Sequence, residues 1–128
     1  MLLAKVTPCF ENGKAGIARN LKNGIGFGSS EFVILRSNEN VLPLWLYLNV
    51  TSPRFRELGK ARMTGTGGLQ RVPKDFIENF LIPLPSIDVQ KEAMSEIERE
   101  QQLINANKEL IQVFESKIKY EINKLWEE

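Results

Sequence analysis

Ile82-Pro83-Leu84-Pro85-Ser86 ends one kind of sequence, and the run from Ile87 to Glu128 begins another. The first is apolar and punctuated by prolines, while the second contains neither Pro nor Gly. Within it Ile97, Ile104, Ile111, Ile118 and Leu125 recur at sevens. Residues seven apart return to nearly the same side of an α-helix, drifting about 20° per step. Leu103, Leu110, Phe114 and Ile122 widen that line into a broad apolar stripe, the pattern of a helix that needs a partner. The spacing predicts one long helix over 87–128, joined to a small domain over 1–86. Such a helix spans about 60 Å at 1.5 Å per residue, against about 25 Å for a domain of this size. Most of the stripe therefore has to meet a second helix, as a dimeric or antiparallel coiled coil. Polar Glu100, Asn107 and Glu121 border the stripe and leave its register and orientation open.

Charge divides at the same place. The whole chain of 128 residues carries a net +1, which hides an asymmetry. Residues 1–86 hold eleven bases against six acids, and residues 87–128 hold six against ten. The first part is thus +5 and the second −4, which points the first part, and not the helix, toward a polyanion. Cys9 is the single cysteine, so no intramolecular disulfide forms and a cytosolic setting is expected. No basic segment followed by an apolar one opens the chain, and no apolar run approaches the roughly 20 residues that cross a bilayer.

Upstream, short strands are expected. Met1–Phe10 opens on strand-like Leu2, Leu3, Ala4 and Val6, which predicts that further residues of the domain precede Leu2 in a natural chain. Asn12-Gly13 marks a hairpin turn before a strand over 15–19. Asn23-Gly24, Gly26 and Gly28 lead to a strand over 31–36. Asn40 is a candidate cap for a helix opened near Pro43, with Leu44, Trp45 and Leu48 on its buried side. Ser52-Pro53 reads as cap and first position of a second helix reaching about Met63, with Phe55, Leu58 and Met63 facing inward. Thr64–Gly68 reads as a flexible loop and 69–72 as extended. A turn or two of helix is expected over 73–79, then a last strand over 80–84. The fold class is α+β.

Few residues offer catalytic chemistry. The chain has no histidine, which removes the commonest general base and metal ligand. One cysteine without histidine cannot form a zinc site of the usual kind. Pro73-Lys74-Asp75 lacks the second carboxylate and lysine of a metal-dependent nuclease. The Asn/Asp-Pro-Pro-aromatic tetrapeptide of an adenine methyltransferase is absent. Gly24-x-Gly26-x-Gly28 precedes a strand rather than a helix, so tight turns explain it better than a nucleotide loop. Neither an enzyme nor a bound cofactor is expected.

The bases carry more. Arg54, Arg56, Lys60 and Arg62 fall on the second predicted helix and are candidates for DNA phosphates. Thr66, Gln70, Arg71 and Lys74 follow the glycine-rich segment and are candidates for base or backbone contacts. A solvated basic helix face accounts for the same residues, and the residues alone leave both readings open. Helix pairing is expected from Ile97, Leu103, Ile104, Leu110, Ile111, Phe114, Ile118, Ile122 and Leu125.

Gly65-Thr66-Gly67-Gly68-Leu69-Gln70-Arg71, Phe76 and then Ile82-Pro83-Leu84-Pro85 with Gln90 resemble the end of a target recognition domain. The family is that of the DNA-specificity (S) subunits of Type I restriction-modification systems. Leu2-Leu3-Ala4-Lys5 and Asn23-Gly24 to Glu31-Phe32-Val33-Ile34-Leu35-Arg36 are similar to its mid-domain strands. The resemblance implies a non-catalytic, cytoplasmic subunit that reads double-stranded DNA, with residues 1–86 as part of one recognition domain and 87–128 as a spacer helix. It further implies docking to methyltransferase subunits, which bring S-adenosylmethionine. The spacer helix would pair with that of another copy, or with the missing half of a longer chain. Two alternatives stand beside it: the recognition end of a single-chain Type II restriction-methyltransferase, and a coiled-coil interaction module without a DNA role.

Overall fold

The computed structural model describes residues 1–126. Its N-terminal unit is built on β1 (Leu2–Ala4), the centre of an antiparallel sheet. One edge of β1 pairs with β2 (Ala15–Gly16), Leu3 opposite Ala15. The other pairs with β3 (Phe32–Ile34), Leu2 opposite Ile34 and Ala4 opposite Phe32. Strand alternation sets the burial: Val33 packs on the core, while Phe32 and Ile34 face outward. Both outer strands are shorter than the sequence suggests.

The chain beyond β1 keeps pairing. The Lys5 N–H donates to Glu31 O at 3.0 Å, and the Thr7 N–H to Gln70 O at 2.9 Å. The Val72 N–H in turn donates to Lys5 O at 2.8 Å. Residues 5–7 thereby hold a second antiparallel ribbon against the first sheet. That ribbon is β4 (Thr64–Thr66) and β5 (Leu69–Arg71). The segment expected as a flexible loop is thus strand and turn. Gly67 and Gly68 both take positive φ (63° and 77°) between the strands, as a two-residue type I′ turn requires.

The helices supply the core. Ser52 caps α2 (Pro53–Lys60), its Oγ accepting from the Phe55 N–H at 3.3 Å, with Pro53 at the first position. Phe55 is fully buried and meets Phe10, Phe76 and Phe80 with ring centroids 5.6, 5.4 and 4.8 Å away. Such ring pairs add about 0.5–1.5 kcal/mol each beyond area burial. Leu3, Val50, Val72 and Ile77 complete the cluster. Gly59 lies on α2 because any Cβ there would stand 2.3 Å from the Phe10 ring. The helix stops at Lys60 rather than Met63, in a turn closed by N–H bonds from Arg62 to Gly59 O and from Met63 to Lys60 O. Leu58 faces solvent, contrary to expectation, while Met63 packs on the core.

Helix α1 (Pro43–Val50) turns Leu46 and Val50 toward that core, while Leu44, Trp45 and Leu48 are half-buried. Its cap position is Leu42, not Asn40, and no neighbouring side chain caps it. Gln90 acts there instead. Its Oε1 accepts from the Leu42 N–H at 3.0 Å, and its Nε2 donates to Asn40 O and Pro85 O at 2.9 Å each. Gln90 has no solvent exposure, and all three bonds lie inside the N-terminal unit. After α3 (Lys74–Asn79), residues 80–84 form no strand. Pro83 and Pro85 have no N–H to give a ladder, and the Pro83 carbonyl accepts from Trp45 Nε1 at 2.9 Å instead.

The last element, α4 (Ile87–Lys124), runs 38 residues without a break, about 57 Å at 1.5 Å per residue. The chain divides into two units, Met1–Gln90 and a second beginning at Lys91, so the first turn of α4 belongs to the N-terminal unit. No helix among the described residues is long and apolar enough to cross a membrane.

Replacing Gln90 by Ala removes the partner of one part-buried N–H and two carbonyls, and a buried group left unsatisfied costs about 1–3 kcal/mol. Urea unfolding of Gln90→Ala should show a loss of at least about 1 kcal/mol; an unchanged midpoint would remove Gln90 from the list of structural anchors.

Candidate nucleic-acid interface

Two surfaces of the N-terminal unit hold the eight candidate DNA contacts. The first is α2 and the turn after it. Arg54 lies on the exposed side of the helix, and Arg62 lies past the helix end, also exposed. Neither makes an ion pair among the described residues.

Arg56 and Lys60 differ. Arg56 is half-buried, and its Nη1 donates to the Glu11 carbonyl at 3.1 Å across 45 residues of chain. Its stem lies against Gly13, where a Cβ would meet the Arg56 Cδ at 3.1 Å. Lys60 stands 3.8 Å from the Glu11 carboxylate while staying mostly exposed. An open depression lined by Glu11, Pro53, Arg56, Glu57 and Lys60 mixes two acids with these bases. The four expected phosphate contacts are therefore not one continuous basic face. Arg56 is bound to the body of the domain, and Arg54, Lys60 and Arg62 face water, Lys60 beside the Glu11 carboxylate.

The second surface is the β4–β5 ribbon. Side chains alternate along it, so Thr64, Thr66, Leu69 and Arg71 share one face and Gln70 points to the other, opposite Gly65. Gly65 sits at φ 144°, and a Cβ there would approach the Leu69 carbonyl oxygen to 2.4 Å. Thr66 and Gln70 are exposed. The Gln70 backbone is held by Thr7, whose Oγ1 donates to Gln70 O at 3.1 Å and accepts from the Gln70 N–H at 3.3 Å. Lys74, at the start of α3, pairs with Glu78 one turn on at 2.9 Å, and that bond raises its pKa.

Arg71 has the most structured setting of the eight. Its Nε donates to both oxygens of Glu31, at 3.1 and 3.0 Å, and its Nη2 to Oε1 at 2.5 Å. The arginine side chain remains 43% exposed and the carboxylate 31%. The hydrogen bonds from Arg71 hold the Glu31 carboxyl below its usual value against partial desolvation, and they raise the arginine correspondingly. Glu31, Thr7 and Glu11 were not among the sequence candidates. They lie 40, 63 and 45 residues from the groups they hold, and no local pattern links residues so far apart.

Along the second unit, the nine expected pairing residues are all exposed, from 42% at Ile97 to 75% at Leu125. Leu125 falls just past the end of α4, in a turn where its N–H bonds to Ile122 O at 3.1 Å. No group of three or more His, Cys, Asp or Glu among the described residues is placed to hold a metal.

Replacing Arg56 by Ala removes a part-buried bond and its stem packing and should lower stability by about 1–2 kcal/mol. Replacing Arg54 or Arg62 by Ala should stay within about 0.5 kcal/mol, as expected of surface positions. Thermal unfolding of the three variants checks this ordering, and an Arg56→Ala protein as stable as the parent would contradict the structural role.

No family model and no solved structure matches the chain. Two curated proteins of Escherichia coli do. The chain is 46% identical over 84 residues to the Type I restriction enzyme EcoEI specificity subunit, covering 65% of this chain and 14% of that protein. It is likewise 46% identical over 90 residues to the EcoAI specificity subunit, covering 70% of this chain and 15% of that protein. The resemblance drawn from the glycine-rich ribbon and the Pro-Leu-Pro to Gln90 junction agrees with both. The matched stretch spans about one seventh of the length of each relative.

Proposed function

We propose that this chain is a non-catalytic DNA-recognition piece of a Type I restriction-modification complex. Residues 1–86 act as part of a target recognition domain, and 87–128 as a spacer helix. The observation that carries this reading is the 46% identity to two specificity subunits. The charge division between the two parts of the chain and the exposed bases of the N-terminal unit support it. In this reading Arg54, Lys60 and Arg62 meet phosphates, and Arg56 braces the surface that displays them. Thr66, Gln70, Arg71 and Lys74 lie on or beside a two-stranded ribbon, a shape that the major groove admits.

The exposed stripe on α4 supports pairing with a second spacer helix, from another copy of the chain or from the rest of a longer one. Burying each large apolar side chain contributes about 1.5–3 kcal/mol, so nine exposed ones favour a partner strongly. Methyltransferase subunits are the expected further partners, and the catalytic groups and S-adenosylmethionine belong to them.

Affinity of the chain for a mixed-sequence duplex should fall linearly on a log–log plot against salt, by about 0.9 of slope per phosphate contact. Charge reversal of Arg54 and Arg62 together should reduce that slope by about two. An unchanged slope would place the phosphate contacts elsewhere. Sedimentation tests the helix: Ile104→Asp with Ile111→Asp should convert a dimer to a monomer. A double variant that still sediments as a dimer would show that the stripe is not the interface.

A further inference from the structure

We propose that Glu31 is a positioning residue that presents Arg71 to a guanine edge in the major groove of duplex DNA. The inference rests on the DNA-reading proposal above. It adds a base type, and it assigns a role to a residue that itself touches no DNA.

The backbone sets the pair up. The Lys5–Thr7 segment bonds to both neighbours, the Lys5 N–H to the Glu31 carbonyl and the Lys5 carbonyl to the Val72 N–H, with Val6 opposite Arg71. The two side chains meet beside that segment. The carboxylate engages the Nε and Nη2 donors, which is a side-on approach to the guanidinium. A guanidinium carries five N–H donors in a fixed fork. Nη1 makes no hydrogen bond among the described residues, so the end-on edge formed by Nη1 and Nη2 keeps donors to give. That edge is the one that pairs bidentately with guanine O6 and N7.

A phosphate would accept the same donors, but the ion pair argues against it. Beside Glu31 the arginine brings almost no net charge, so it releases few counterions and adds little to non-specific attraction. Direction survives where charge is cancelled. A held, neutralised fork is suited to selecting a base, and the unpaired Arg54 and Arg62 are suited to attracting the backbone. The side chains are exposed enough for the edge to be reached. Arg71 also shares its ribbon face with Thr66, itself a groove candidate.

The test is selection of binding duplexes from a randomised double-stranded pool, read by sequencing. It is run at fixed salt with the parent chain, Glu31→Gln, Arg71→Lys, and the charge-swapped pair Glu31→Arg with Arg71→Glu. The parent consensus should contain a guanine whose preference falls about 10- to 100-fold in Arg71→Lys, the scale of one bidentate contact. At the same position Glu31→Gln should lose about 3- to 10-fold, because the amide keeps one acceptor but not the charge-assisted pair. Glu31→Gln also frees a positive charge, so its binding to the unselected pool should rise and its salt slope should steepen by about one. Less discrimination with more total binding is the opposite of what loss of a purely structural pair produces. The charge-swapped chain should recover the thermal midpoint of the parent without the guanine preference.

A parent consensus without guanine overturns the inference. So does a consensus unchanged in Glu31→Gln and Arg71→Lys, or a charge swap that restores the guanine; in each case DNA reading still stands. A parent chain that binds no duplex even at low salt overturns the DNA-reading proposal and this inference together.

Discussion

The backbone of residues 2–7 is bonded along both of its edges, and the N-terminal unit depends on that one constraint. Over Leu2–Ala4 the partners are β2 and β3, and over Lys5–Thr7 they are Glu31 and β5. An unpaired backbone group inside a protein costs about as much as a lost hydrogen bond, so this strand settles where its neighbours lie. Leu3 then faces the core, and the phenylalanine cluster around Phe55 closes over it. The ribbon that presents Thr66, Gln70 and Arg71 is attached to the same strand. Fold and candidate interface are therefore two uses of one pairing pattern.

Counting bases does not describe the charged surface. Residues 1–86 have eleven, but their settings divide them into kinds. Arg54 and Arg62 face water, Arg56 is spent on a carbonyl of its own domain, and Arg71 and Lys74 are matched with carboxylates. Exposed ion pairs contribute little to stability. The geometry such a pair imposes on a fork of donors is the larger consequence. A surface that both attracts a polyanion and discriminates along it needs both kinds of cation.

The long helix poses a different problem. Its first turn is held inside the N-terminal unit by Gln90, whose three bonds join Leu42, Asn40 and Pro85. Beyond Lys91 the helix carries a line of large apolar side chains with no cover among the described residues. Its acids and bases do not mask that line, because residues seven apart come back to one side whatever lies between them.

The order of amino acids was enough to settle what depends on neighbours along the chain. The unbroken helix from Ile87, the Ser52-Pro53 start of α2, the Asn12-Gly13 turn and the α+β class all follow from spacing, capping and turn chemistry. Resemblance of the Pro-Leu-Pro to Gln90 junction to specificity subunits was legible for the same reason, since it lies in contiguous residues. Only the folded chain decided the rest. It made Thr64–Arg71 a ribbon, denied residues 80–84 a strand partner, turned Arg56 inward and gave Arg71 to Glu31. The settings of Arg56 and Arg71 depend on groups 45 and 40 residues away, and the ribbon is held to the sheet by Thr7, 63 residues from Gln70; no local propensity reaches so far.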